Sequence, residues 1–180
     1  MLRGKKYYFE TKPGLFSKTE IDRGSRLLIE HMDIGVRDIV IDLGCGYGSI
    51  GLVAASLASA GKVYLADTDI RAVKYSRLNG ELNHLHNLEV LASDGFEGLS
   101  GIIFDVVLSN PPTHLPKEIL LEFIEGSRRQ LRTGGRIYFV TEQRVKALVK
   151  REFLDKFGNY EEITSGTQHV VSLAIKQLSP

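Results

Sequence analysis

Apolar positions along this chain fall into two alternating kinds of run. The first kind is short and almost continuous: "DIVIDL" (38–43), "KVYLAD" (62–67), "LEVLAS" (88–93), "FDVVLS" (104–109) and "RIYFVT" (136–141). Such runs, rich in Val, Ile, Leu and Tyr, predict strands covered on both faces, as in a parallel sheet. The second kind is longer and has a helical period. Val145, Val149, Phe153 and Phe157 recur every four residues, with Leu148 beside them, while Lys146, Lys150 and Arg151 lie off the stripe. This predicts a helix over 143–157, and Gly158 stands where a helix C-terminal glycine belongs. Segment 70–83 predicts another, with Ile70, Val73 and Leu82 facing inward. A third, 117–131, opens after Pro116 and closes at "RTGG", and 20–32 predicts one more after the turn signal "KPG" at 12–14. Strands alternating with helices predict an α/β fold. Near the end, "NYEEIT" (159–164) and "HVVSLAIK" (169–176) are separated only by a short stretch around Gly166. That spacing suits a hairpin better than a crossover.

Composition narrows this picture. A chain of 180 residues fits one domain. No apolar run approaches the roughly 18 residues of a membrane span. The basic opening "MLRGKKYYFE" has no apolar core after it, so no signal peptide is expected and a cytoplasmic address is. Cys45 is the sole cysteine, which excludes an internal disulfide and a metal site built on cysteine pairs. The five histidines are scattered without ligand spacing, so no metal is expected. Net charge is +1, but residues 1–26 carry seven Lys and Arg against three Asp and Glu, a local +4 that leaves −3 for the rest. A basic N-terminal segment suits phosphates, and equally suits a solvated face.

The chemistry begins where the first strand runs into "DLGCGYGSIG" (42–51). Alternating Gly44, Gly46 and Gly48 permit a tight turn and let main-chain N–H groups approach a ligand without a Cβ in the way. In an open α/β sheet the ligand crevice lies beyond the carboxyl ends of the strands, which is where this loop falls. Gly46, Gly48 and Gly51 satisfy the dinucleotide pattern G-x-G-x-x-G, a weak signal alone. Asp67 ends the second strand 21 residues after Gly46, where an acidic residue meets ribose hydroxyls of any adenosine cofactor. Asp42 lies at the end of strand one. A pyrophosphate disfavours a neighbouring carboxylate, whereas an ammonium and a sulfonium favour it. Asp94, in "SDGF" after strand three, is placed either to meet an adenine amine or to cap a turn.

With these residues in order, the sequence resembles the class I S-adenosylmethionine-dependent methyltransferases over nearly its whole length. The likeness rests on "DLGCGYGSIG", on "ADTDIRAV" with the later "NGELN", on "SDGF" and on "SNPPTH" at 109–114. It implies a Rossmann-like fold with a seven-stranded, mostly parallel sheet, an antiparallel last strand and helices on both faces. The implied organisation is a single domain, 1–180, with residues 1–35 covering substrate and cofactor and 36–180 forming the core. The implied S-adenosylmethionine site comprises Asp42, Gly44, Cys45, Gly46, Tyr47, Gly48, Asp67, Thr68, Asp94, Gly95 and Asn110.

"SNPPTH" then acquires a chemical reading. An exocyclic amine on a base is a poor nucleophile because its lone pair is delocalised into the ring. The Asn110 side-chain oxygen and the Pro111 carbonyl are two acceptors that would orient such an amine and stabilise the positive charge that develops on it. Pro111 and Pro112 stiffen the loop and remove competing donors. The motif is similar to that of N6-adenine and guanine-N2 methyltransferases and of the glutamine methyltransferases of release factors. His114 and the upstream "KPGLFSKTEIDRGSRLL", with Phe16, Ser17, Asp22 and Gly24, are similar to ribosomal RNA guanine-N2 methyltransferases. That resemblance implies an RNA partner (rRNA or tRNA) and a substrate side made of Phe16, Ser17, Thr113 and His114. Thr113 stands where related motifs often carry an aromatic ring, so stacking falls to Phe16, Tyr47 or Phe96. Three other readings remain: a protein glutamine N5-methyltransferase, a NAD-binding Rossmann domain, which leaves "NPP" unexplained, and an inactive scaffold. Oligomeric state is not legible.

Overall fold

The computed structural model describes residues 1–11, 21–111 and 116–178. In chain order the elements are α1 (Arg23–His31), β1 (Ile39–Leu43), α2 (Ser49–Leu57), β2 (Lys62–Asp67), α3 (Ile70–Leu82), β3 (Leu88–Ala92), β4 (Phe104–Ser109), α4 (Lys117–Gln130), β5 (Leu131–Glu142), α5 (Lys146–Phe157), β6 (Glu161–Ser165) and β7 (His169–Ile175). One turn of 3-10 helix, Gln143–Val145, leads into α5. The seven strands form a single sheet in the order β3-β2-β1-β4-β5-β7-β6. β7 runs antiparallel to both of its neighbours, and the remaining pairs are parallel. This is the expected architecture, including the C-terminal β6–β7 hairpin. No helix among the described residues is long and apolar enough to cross a membrane.

The continuous apolar runs have a direct cause in the two-residue period of a strand. Val40, Leu65, Val106 and Leu108 turn to one face, where they pack with Leu28, Leu52 and Val53 of α1 and α2. Their neighbours Ile41, Ala66, Val107 and Phe139 turn to the other, against Ile124, Phe153 and Phe157 of α4 and α5. Both faces are buried, so successive central positions of these strands are mostly apolar. The stripe predicted on α5 is the buried one, and Gly158 closes that helix in the left-handed region at φ 74°.

Two expectations are corrected. On α3, Val73 faces inward, but Ile70 is 75% and Leu82 39% exposed. The inward face is instead Ala72, Val73, Ser76, Asn79 and Gly80. A Cβ on Gly80 would lie 2.8 Å from the Leu88 side chain, so the helix approaches β3 closely there. Asn79 turns inward because its amide bonds main-chain groups of two other segments. The second correction is β5, which starts at Leu131 rather than 136. "RTGG" is an irregularity inside the strand, where the register with β4 shifts between Phe104 and Val106. Main-chain bonds from Gly134 to Lys176 (2.7 Å) and from Lys176 to Gly135 (2.8 Å) carry the ladder past it.

Candidate active site

Strand order reverses at β1, which has β2 on one side and β4 on the other. Ligands of open α/β sheets sit at such a point, beyond the carboxyl ends. The ends are in register: Leu43 pairs with Ala66 and with Ser109, and Asp67 pairs with Ala92. Gly44, Asp67, Ser93 and Asn110 therefore leave the sheet along one edge. The Ser109 hydroxyl donates to the Leu43 carbonyl at 2.8 Å, which ties the last residues of β1 and β4 together.

The glycine loop folds back on the end of β2. Gly44 and Cys45 N–H both donate to the Ala66 carbonyl, at 2.8 and 3.1 Å. Gly46 N–H donates to Asp67 Oδ2 at 2.8 Å, and Asp69 N–H to Asp67 Oδ1 at 2.9 Å. Gly44, Gly46 and Gly48 all have positive φ (67°, 57° and 93°). Their surroundings divide them. A Cβ on Gly46 would meet nothing within 4 Å, and one on Gly44 only the Phe123 ring at 3.9 Å. A Cβ on Gly48 would lie 2.7 Å from Leu52, and one on Gly51 2.6 Å from Leu65. Gly44 and Gly46 thus face an open crevice, while Gly48 and Gly51 let α2 pack onto the sheet.

Asp42 is 1% exposed. Its Oδ2 accepts from Gly51 N–H at 2.8 Å, in the first turn of α2, and its Oδ1 is buried without a partner among the described residues. Burial pushes this carboxyl up to about 8; the Gly51 hydrogen bond pulls it down, and the nearby Asp67 adds to the rise. The Cys45 thiol is also buried and pushed up, and it lies 3.6 Å from Ser76 Oγ, so its side chain turns into the protein. Thr68 is exposed at the loop after β2. Asp94 is exposed as well, and the turn it opens is closed by main chain, Glu97 N–H on the Asp94 carbonyl at 3.0 Å. Gly95, at φ 53°, has the Phe123 ring 3.5 Å from its Cβ direction. Phe123 of α4 therefore stands behind both Gly44 and Gly95. The sequence offered no sign of this, because the ring sits in an ordinary helical stripe.

At the end of β4, Asn110 is half-buried and Pro111 buried. Asn110 Nδ2 donates to Asp22 Oδ1 at 3.1 Å and to Ser25 Oγ at 3.0 Å. Asp22 is the N-cap of α1, accepting from Ser25 N–H at 2.9 Å. These residues share one hollow with Gly44, Gly46 and Tyr47. Ser25 was not singled out from the sequence; Asp22 before an apolar helical run is an N-cap residue type, but that pattern does not mark Ser25. The two described candidates for a stacking ring are both packed on one side, and both border a hollow: Tyr47 the one with Asn110, Phe96 one with Asp94 and Gly95. Tyr47 is 5% exposed, with Phe9 edge-on at 5.6 Å, and Phe96 packs on α4 where a Cβ on Gly126 would fall 2.3 Å from it. Phe16, Ser17, Pro112, Thr113 and His114 lie outside the described residues.

Main chain from the N-terminal segment covers the loop. Asn79 of α3 bonds both Glu10 N–H and Glu10 carbonyl, and also the Tyr47 carbonyl at 2.9 Å. Together these features fit S-adenosylmethionine. An open pair of glycines gives room. The Asp67 side chain suits ribose hydroxyls, and the unpartnered Asp42 oxygen offers an acceptor to an amine-bearing ligand. A pyrophosphate would need the N–H groups that open α2, and Asp42 already occupies one of them. Among the described residues no cluster of His, Cys, Asp or Glu is arranged to hold a metal ion.

Comparison with known proteins agrees. The model of the methyltransferase small domain family matches residues 6–172. YbxB of Bacillus subtilis (strain 168), an uncharacterized protein, is 34% identical over 165 residues, 91% of this chain and 81% of its own length. The structure of RsmC, a T. thermophilus 16S rRNA N2 methyltransferase in complex with AdoMet and guanosine, superposes with a TM-score of 0.89 at 27% identity. It covers 98% of this chain, and this chain spans 49% of RsmC, about half its length. TrmN from Thermus thermophilus superposes with a TM-score of 0.66 at 25% identity, over 84% of this chain and 48% of TrmN.

Proposed function

The chain belongs to the methyltransferase small domain family and is an S-adenosylmethionine-dependent methyltransferase; from that premise we propose that it methylates an exocyclic base amine in RNA, with guanine N2 of rRNA or tRNA as the acceptor. The observation that carries the acceptor class is the likeness to RsmC, whose complex holds guanosine beside AdoMet. In the same proposal residues 1–180 act as one methyltransferase domain, with residues 1–35 as its covering segment, at a cytoplasmic address.

Bound S-adenosylmethionine supplies an electrophilic methyl group on a sulfonium. The chain's own residues do the positioning. Asp67 accepts hydrogen bonds from the ribose hydroxyls with the lone pairs that Gly46 and Asp69 N–H leave over. Gly44 and Gly46 present bare main chain to the cofactor, with the main chain of Cys45 and Tyr47 between and beyond them and Gly48 holding the turn. Thr68 lies on the ribose side, and Asp94 with Gly95 flanks the adenine. Asp42 holds the loop from below through Gly51 N–H and keeps its second oxygen for the methionine amine of the cofactor.

Asn110 Oδ1 and the Pro111 carbonyl accept from the incoming NH₂, turning its lone pair away from the ring and stabilising the charge that grows on nitrogen. By resemblance, Pro112 joins this motif, and Phe16, Ser17, Thr113 and His114 are assigned to the substrate; all five lie outside the described residues. Nitrogen would acquire the methyl group as the methyl–sulfur bond breaks and neutral S-adenosylhomocysteine leaves; the cationic nitrogen then releases its proton to water, so no strong general base is needed. Holding nitrogen and methyl in line contributes the rest of the rate.

Radiolabelled methyl transfer to total RNA and to release factors, followed by nucleoside analysis, tests this. Label in N2-methylguanosine is expected. Label confined to protein glutamine would reject the RNA acceptor, and label in another nucleoside would reject guanine N2.

A further inference from the structure

We propose that Asp22 and Ser25, at the start of α1, are positioning residues that lock the Asn110 amide with its oxygen toward the acceptor amine. The inference rests on the N-methyltransferase reading above and adds the device that makes Asn110 work in one orientation.

A carboxamide has two ends of nearly equal size and opposite chemistry. Turned one way, Asn110 offers an acceptor to the substrate NH₂; turned by half a rotation, it offers a donor, which repels that NH₂. Nothing in "SNPPTH" itself decides between them. The decision comes from 88 residues away. An ionised carboxylate only accepts, so the Asn110 group facing Asp22 must be its NH₂. Both amide protons are used: one on Asp22 Oδ1 at 3.1 Å and one on Ser25 Oγ at 3.0 Å. Reversal would set the Asn110 oxygen against the carboxylate oxygen and leave the Ser25 hydroxyl as its sole donor. Oδ1 is therefore the end without a partner among the described residues.

The lock is itself held rigid. Ser25 N–H donates to the same Asp22 oxygen at 2.9 Å, so cap and lock share one atom. Ser25 is 4% exposed. Between them, Gly24 approaches the His169 ring of β7 so closely that a Cβ would lie 3.0 Å from it. The chain of carboxylate, amide and substrate amine also has a direction. Hydrogen bonds donated toward the negative charge polarise the amide and enrich its oxygen, which is the atom that must meet a developing positive charge.

Asp22→Ser keeps a helix-capping oxygen but does not reach Asn110, and Ser25→Ala keeps the cap entirely. Each is expected to lower kcat on RNA by about tenfold or more, with the KM for S-adenosylmethionine and the affinity for S-adenosylhomocysteine within about twofold of wild type. Asp22→Asn, which still offers an oxygen to both partners, is expected to restore most of kcat. Equal kcat in all three variants and wild type would overturn the proposal, as would a loss confined to cofactor binding.

Side-chain amide exchange of Asn110 by ¹⁵N NMR, with the resonance located by its absence in Asn110→Ala, tests the lock without any turnover. Exchange at least tenfold slower in wild type than in Asp22→Ser is expected. Equally fast exchange in the two overturns the lock. Protected exchange in an enzyme that transfers no methyl to RNA leaves the lock standing and removes the RNA reading.

Discussion

Asn79 holds the main chain of Glu10 with both ends of its amide: Glu10 N–H donates to Oδ1 at 2.7 Å, and Nδ2 donates to the Glu10 carbonyl at 3.0 Å. One helical turn on, Asn83 does the same to Tyr8, at 3.0 and 2.7 Å. The periods match, since four residues of helix rise about 6 Å and two residues of strand about 6.7 Å. The N-terminal segment is thus paired to α3 as if to a neighbouring strand. Because Asn79 also bonds the Tyr47 carbonyl, the same amide fixes the glycine loop.

Asn79→Ala removes its three side-chain bonds, to Glu10 N–H and to the Glu10 and Tyr47 carbonyls, and leaves the buried Tyr47 carbonyl without that partner. A loss of about 2–4 kcal/mol is expected, read as a fall in Tm of about 2–4 °C per kcal/mol. Trypsin should also cut sooner after Lys5 and Lys6. A variant with wild-type Tm and cleavage would show that the segment is held by something other than Asn79.

Gly46 and Gly48 separate space from packing. Gly48→Ala should cost about 2–4 kcal/mol, from positive φ together with overpacking against Leu52. Gly46→Ala should cost only about 1–2 kcal/mol for its φ, yet weaken S-adenosylhomocysteine at least tenfold by filling the crevice. Calorimetry and denaturant melts on both variants check this; equal cofactor loss with equal stability loss would contradict the division.

Asp42 makes stability depend on pH in an unusual direction. Its folded-state value, about 8, lies above the ordinary 3.8, mainly through burial. The folded chain therefore keeps a proton that the unfolded chain loses, and stability should fall as pH rises through this window and level off above it. Asp42→Asn should flatten that contribution, as read from urea midpoints between pH 5 and 9. A slope unchanged by the substitution would assign it to other groups.

Asn110 and Asp67 should fail differently. Asn110→Ala is expected to lose about 10²–10³ in kcat while keeping S-adenosylhomocysteine affinity within about threefold. Asp67→Ala should weaken that affinity by about 10–100-fold, roughly 1.4–2.7 kcal/mol, because both of its oxygens anchor the loop. Undiminished turnover in the first, or undiminished binding in the second, would contradict the assigned role.

The sequence by itself determined the strands and the place of the crevice. β2 and β4 are legible to the residue because burial on both faces fills their centres with consecutive apolar side chains, Val63–Ala66 and Val106–Leu108. Gly158 and the β6–β7 hairpin were legible because a left-handed cap and a short connection are local matters. The glycine loop, Asp67 and Asn110 could be put on strand ends for the same reason. What only the tertiary structure decided is what each polar group touches. The inward face of α3 carries Asn79 and Ser76, and a polar residue turned inward is affordable only when main chain from elsewhere satisfies it. β5 begins early because its first residues pair with Phe104 and Lys176, which no local pattern announces. The Asn110 amide takes its direction from Asp22, a charge that chain folding alone brings within 3.1 Å. Apolar burial is a property of each position and is written along the chain; hydrogen-bond direction is a property of pairs, and exists only once the pairs have met.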